Sequence, residues 1–319
     1  MRINRLILFL SIALAVGCKE KKAEQFQALP FPDVLPPEMI EDTKDRIDYM
    51  AEHWWDKITY ENREYPSDSV LVSGVLKDDI EQKFANWVNL LFMTDYPHAA
   101  KSVRRLYERA VKCECKDTSS NVFETFTDLV ERYLYDPNSP LRNEDFYGPY
   151  AEKLASCQYV SEGKRQAYAR DAKMSSLNRI GTKATDFRFE DKDGKVRWLY
   201  NIKADYIVLF FSNPGCEACK EIIHALKDTP QIDALISSGK VAVLNIYIDE
   251  DLEAWRSYMP IYPATWYNGF DPDFIIRADL LYNVRAIPSL YLLDKDKTVI
   301  LKDAVTGRVL EFLYLNFRE

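Results

Sequence analysis

The sequence predicts a chain in two parts, an all-α first half and an α/β second half. Three observations carry this. The 319 residues exceed the roughly 150 of one average domain. Apolar residues from Met39 to Met174 recur at helical spacing. Beyond Ile180, unbroken apolar runs flank a helical stretch, the pattern of parallel buried strands joined by a helix. A composition of 47% hydrophobic and 29% charged residues, with only 10 Gly and 15 Pro, excludes collagen-like, linker-like and long disordered chains. The net charge is −8, and the first 17 residues contribute only Arg2 and Arg5, so the remainder is more acidic still. That balance argues against nucleic acid or an anionic membrane surface as a partner.

Residues 1–17 read as an export signal, with Arg2 and Arg5 before an apolar run from Leu6 to Val16. As a helix this run covers about 16 Å, too short for a hydrocarbon core of about 30 Å. Ala15, Val16, Gly17 and Cys18 resemble the lipobox of bacterial lipoproteins. The resemblance implies a lipid on Cys18, an anchor in a bacterial membrane and an extracytoplasmic, periplasm-facing chain. Residues 18–38, with KEKK and a Pro-rich stretch, then read as a tether.

Residues 39–178 form the expected all-α domain. Ile47, Met50, Ala51, Trp54, Trp55 and Ile58 mark one helix face. Ile80, Phe84, Trp87, Val88 and Leu91 mark a second, with Asp78 and Glu81 placed like a capping pair. Val103 to Val111 and Phe126 to Leu134 give two more, the latter behind a cap at Asn121, and shorter helices are expected near Tyr150–Ser156 and Glu162–Met174. Aromatic residues at this spacing, Trp54, Trp55 and Trp87 among them, are expected to be core rather than a ligand groove. The run FPDVLPPEMIEDTKDRIDYMAEHWWDKITY resembles an uncharacterised helical domain that precedes thioredoxin-like modules in bacterial lipoproteins, which implies a companion domain and no chemistry. In an oxidising compartment its three thiols suggest a structural disulfide of Cys157 with Cys113 or Cys115. A metal site there, or a second redox centre, is the weaker reading.

Residues 179–319 carry the chemistry. A hairpin is expected over Asp186–Glu190 and Val196–Leu199, then the strand Tyr206–Phe211, a helix from Cys216 to Lys227 and the strand Val241–Ile248. A helix near Leu252–Tyr258, strands Leu290–Leu293 and Thr298–Leu301, and a helix over Gly307–Asn316 complete the order. Cys216 and Cys219 stand as CEAC where the strand hands over to the helix. A helix start offers unpaired N–H groups and positive potential, both of which favour the thiolate that attacks disulfides. Zinc would want a second cysteine pair and haem a CxxCH; Lys220 follows Cys219, and the peroxidatic pattern fails at Asn213. A purely structural disulfide is the remaining alternative.

Ile287-Pro288-Ser289 lies 72 residues after Cys216. With YIVLFFSNPGCEACK it resembles the thioredoxin superfamily, nearest to membrane-anchored thiol-disulfide oxidoreductases related to cytochrome c maturation factors. The resemblance implies a thioredoxin-like fold, a central mixed sheet flanked by helices, with Cys216 attacking, Cys219 resolving, and Ile287 and a cis Pro288 holding the substrate. It implies disulfide-containing exported proteins as substrates, a membrane thiol as electron donor, and no cofactor or metal. The chain departs from the family at Gly215, where Trp is usual, and at Phe210, where thioredoxins keep a buried Asp. Lys220 and Glu217 are then candidates to accept the Cys219 proton, and His224 reads as surface. Glu217 beside Cys216 should disfavour the thiolate, pointing to a reducing couple. The alternative function is a binding or scaffolding lipoprotein that does not turn over.

Overall fold

The computed structural model describes residues 27–60 and 70–317; the expected export signal, Cys18 and the first part of the tether lie outside them. Helix α1 (Thr43–His53) opens on Asp42, whose carboxylate accepts from the Asp45 amide. The apolar stripe predicts a longer helix than this. The regular helix stops at His53, with Trp54 as its cap, and in the turns that follow Arg105 pairs with the Asp56 carboxylate at 2.7 Å and Arg109 donates to the Asp56 carbonyl and the Thr59 hydroxyl. Trp55 and Ile58 are buried nonetheless.

A small hairpin, β1 (Leu71–Val72) and β2 (Val75–Leu76), interrupts the otherwise helical first half. Ser73 and Gly74 both have positive φ, the two-residue turn that suits strand twist. Helices α2 (Lys77–Leu91), α3 (Tyr96–Lys116), α4 (Val122–Val130), α5 (Glu144–Leu154) and α6 (Glu162–Ser175) follow. Helix α2 leaves β2 directly at Leu76 without a side-chain cap, so the expected Asp78–Glu81 pair does not form; Glu81 accepts from Arg132 and Tyr133 instead. Asn121 does stand at the start of α4, but its amide is taken by the Leu71 carbonyl at 2.6 Å. Helix α4 widens into a π-helical turn over Glu131–Tyr135. Trp55, Phe84, Trp87 and Phe126 pack ring on ring at the centre, with Trp54 at the edge of the same cluster. The Trp87 indole N–H donates to the Ala51 carbonyl at 2.8 Å, so the ring is buried without an orphaned donor.

The second half adopts the thioredoxin-like fold. Its elements are β3 (Arg188–Asp191), β4 (Val196–Trp198), β5 (Tyr206–Phe211), α7 (Glu217–Lys227), α8 (Pro230–Ser237), β6 (Val241–Tyr247), α9 (Leu252–Tyr258), β7 (Tyr267–Phe270), α10 (Ile275–Ala278), β8 (Ser289–Asp294), β9 (Val299–Leu301) and α11 (Thr306–Asn316). The sheet order is β4-β3-β7-β6-β5-β8-β9, with β6 parallel to β5 and β7 and the other pairs antiparallel. Alternation along β5 sends Val208 and Phe210 to the face covered by α7, α8 and α11, and Ile207, Leu209 and Phe211 to the other. Strand β7 carries no apolar run. Gly269 lets it pair there, since a Cβ would stand 2.5 Å from the Phe189 ring. The β9 edge is covered by the segment that joins the halves: Gly181 donates to Val299 at 2.8 Å, Val299 to Thr182 at 2.9 Å and Ala184 to Lys297 at 2.9 Å.

Candidate active site

Strand β5 delivers the chain into Asn213-Pro214-Gly215-Cys216, where the Cys216 amide donates to the Asn213 carbonyl at 3.4 Å and Gly215 has a φ of +73°. Pro then Gly at the centre, with positive φ at the second, is a type II turn. Space would admit a side chain at Gly215; backbone conformation does not. This accounts for the absence of Trp. Gly215→Ala is expected to cost about 1–2 kcal/mol, read from urea unfolding, and an unchanged midpoint would show that the turn relaxes.

The turn sets Cys216 as the cap of α7, its sulfur accepting from the Cys219 amide at 3.2 Å. Cys216 is half-exposed while Cys219 is 2% exposed. The two are joined in a disulfide with Cα atoms 5.2 Å apart, within the usual range for such bonds. The two residues thus differ in access, Cys216 partly exposed and Cys219 within the core.

Glu217 is exposed and paired with Lys220, which holds the Lys220 ammonium above its ordinary pKa. A neutral pair in water exerts less field on the sulfur than a bare carboxylate would. His224 is exposed and paired with Asp228. Phe210 is buried against Asn245 of β6 and Leu290 of β8. Behind it runs a buried polar chain that sequence reasoning missed. Ser212 donates to Asn245 and meets the Tyr262 phenol at 3.3 Å, while Asn245 donates to Asn268 at 3.1 Å. Burial pushes the Tyr262 phenol up, and Tyr262 shares a core cluster with Cys219.

The Ile287–Pro288 bond is cis. Strand β8 starts at the next residue, Ser289, which stands opposite Phe211 at the end of β5. Register therefore brings the two distant motifs to one end of adjacent strands, and Cys216 and Ile287 pack against the same core cluster.

On its other side the loop meets the helical half, through residues the sequence did not single out. Glu144, at the start of α5, accepts from Asn283 at 2.7 Å and from the Arg285 Nε at 2.6 Å. Arg285 also donates to the Tyr135 carbonyl, lies 4.2 Å from the Tyr135 ring centre, and reaches Asp303 at 3.0 Å. Asp303 in turn accepts from Ser289 at 3.0 Å and pairs with Arg142. Lys302 completes the set, 3.1 Å from Glu144 and 3.3 Å from Asp145. Desolvation pushes Glu144 and Asp145 above the ordinary carboxylate range, with Lys302 opposing it. A cavity of about 1020 Å³ adjoins this network, lined by Tyr135, Tyr147, Tyr168 and Asp171 together with Asn283 and Arg285; neither cysteine of the pair lines it.

The structure carries no disulfide between Cys157 and Cys113 or Cys115. Two residues apart on α3, Cys113 and Cys115 face opposite sides of the helix. The Cys113 thiol donates to the buried Thr59 carbonyl at 3.5 Å, the Cys115 sulfur accepts from the Tyr159 hydroxyl at 3.1 Å, and Cys157 lies buried beside Tyr107.

Two family models match different parts of the chain. A domain of unknown function (DUF5106) matches residues 16–178, and a thioredoxin-like family matches residues 204–299. A thioredoxin-like protein of known structure from Bacteroides caccae is 37% identical, with a TM-score of 0.73 over 88% of this chain and 98% of its own. The C-terminal domain of an uncharacterized protein from Bacteroides fragilis is 44% identical over 43% of this chain and 98% of its own, with a TM-score of 0.42. The thioredoxin domain of a thiol-disulfide oxidoreductase from Bacteroides vulgatus is 20% identical over 42% of this chain and 97% of its own, with a TM-score of 0.37. No curated protein matches.

Proposed function

We propose a function from one premise: this chain belongs to the thioredoxin-like family, in its form with a DUF5106 helical half. The reading is an extracytoplasmic thiol-disulfide oxidoreductase that reduces or isomerises disulfides of exported proteins. The observation that carries it is the pair itself, a half-exposed Cys216 capping α7 over a buried Cys219, at the strand end where the Ile287–Pro288 loop returns. In the reduced enzyme, the Cys216 thiolate attacks one substrate sulfur and displaces the other as thiolate. Cys219 then loses its proton and attacks the Cys216 sulfur. The substrate leaves with two electrons as a dithiol, and the Cys216–Cys219 disulfide forms. A membrane dithiol donor restores the pair.

Insulin reduction driven by a dithiol tests the reading, and a rate equal to buffer would leave a scaffold instead. The direction is tested by glutathione equilibration, where a reductant should lie nearer about −270 mV than about −120 mV, and a value above about −180 mV would overturn it. Anchoring is a separate part of the proposal. Among the described residues no helix is long and apolar enough to cross a membrane, and Cys18 follows small residues in the sequence. Cys18→Ala should therefore move the protein from the membrane pellet to the soluble fraction, and retention in the pellet would point to a protein partner.

A further inference from the structure

We propose that the helical half supports the substrate edge of the redox half, with Glu144 as the positioning residue for the Ile287–Pro288 loop. This rests on the oxidoreductase reading for its catalytic consequence. Between α10 and β8 the chain has no helix or ladder to define it. Side chains fix it instead. Leu281 accepts from Asn178 and Tyr282 donates to Thr185, but from Asn283 to Ser289 the polar anchors are Glu144, the Tyr135 carbonyl and Asp303. Two of these three belong to the helical half.

The geometry distinguishes a support from general cement between the halves. Cement is supplied by Lys302, which donates to the Ser175 and Leu177 carbonyls at 2.7 Å each and pairs with Asp145, while Asp145 also accepts from the Ile180 amide. None of those contacts touches the loop. Glu144, one residue earlier on the same helix and with its side chain 0% exposed, turns its Oε1 onto Asn283 and Arg285, four and two residues before Ile287. Val284 and Ile287 rest against the apolar core, while Asn283 and Arg285 line a cavity, so the Glu144 bonds set the course of the chain between those apolar contacts. A substrate strand laid along Ile287 needs that backbone at a fixed distance from Cys216, so a loop displaced by about 1 Å should weaken capture of an extended chain. The sulfur chemistry itself does not depend on it.

The full chain is compared with Glu144→Ala and with Asp145→Asn, which disturbs the same buried cluster away from the loop. Glu144→Ala is expected to raise the KM for insulin about tenfold, with the rate on oxidised glutathione and the glutathione equilibrium unchanged, while Asp145→Asn keeps the wild-type KM. Tryptic cleavage after Arg285, which needs the loop to open, should quicken about tenfold in Glu144→Ala and not in Asp145→Asn. Equal KM in both variants, an equal loss on both disulfides, or unaltered cleavage would overturn the proposal. Should Glu144→Ala fail to fold, Asn283→Ala removes one loop donor without stranding a buried charge, and should raise the KM about threefold; no rise would overturn the proposal equally. A wild type inert toward insulin would defeat the oxidoreductase reading, whereas the cleavage comparison would still decide whether Glu144 holds the loop.

Discussion

Cys219→Ser is expected to accumulate mixed disulfides with partner proteins, and Cys216→Ser to trap none. The difference follows from access. Cys216, partly exposed at the helix cap, is the more accessible of the two to a substrate disulfide, whereas Cys219 is 2% exposed. Removing the resolver leaves attack intact and the covalent complex without an exit. The trapped species should appear on non-reducing gels and collapse with dithiothreitol. Both variants should lose insulin turnover by at least about a thousandfold. Identical trapping by the two variants would show that the roles are wrongly divided.

Lys302→Met should destabilise the folded chain by about 3–5 kcal/mol, the usual cost of removing one partner of a buried ion pair. The Lys302 side chain is 1% exposed and is the cation shared by Glu144 and Asp145. Methionine fills similar volume, so the loss isolates charge from packing. The effect carries a pH signature. Both acids have native pKa values raised by burial against the opposing field of Lys302. An acid with a raised native pKa keeps its proton in the folded chain at pH values where the unfolded chain has released it. Its contribution is therefore most favourable below the ordinary carboxylate pKa of about 4, and declines as pH rises toward the native value. Without Lys302 both native values climb further, so the variant should be most stable in acid and fall more steeply toward neutrality than the parent. Urea midpoints across that range measure it, and a variant whose stability rises with pH would contradict the assignment.

The thioredoxin-like half was largely legible because its signals are local. The run Tyr206–Phe211, the CEAC at its end and the helix after it follow one another within 22 residues, and Ile-Pro-Ser sits directly before its strand. Strand β7 was not legible, since Tyr-Asn-Gly-Phe has no apolar alternation and its place depends on Gly269 fitting under Phe189. The Glu144–Arg285 contact joins residues 141 apart. Acids in a first helical turn are ordinary, because the helix dipole favours them there, so nothing local distinguishes Glu144 and Asp145 from solvated ones. The end of α1 was missed for a similar reason: Arg105 and Arg109 act on it from α3, and apolar periodicity does not register a distant cation.

The segment Gly181–Ala184 is a connector by position, yet it bonds along β9. The seam between the halves in sequence is therefore not a seam in hydrogen bonding. A fragment begun at β3 would leave the Val299 and Lys297 main-chain groups without those partners and present a bare sheet edge, the kind of surface on which copies of a protein stack. A fragment begun at residue 179 keeps its own edge guard. The hydrogen bonding of the thioredoxin-like sheet thus begins several residues before its first strand.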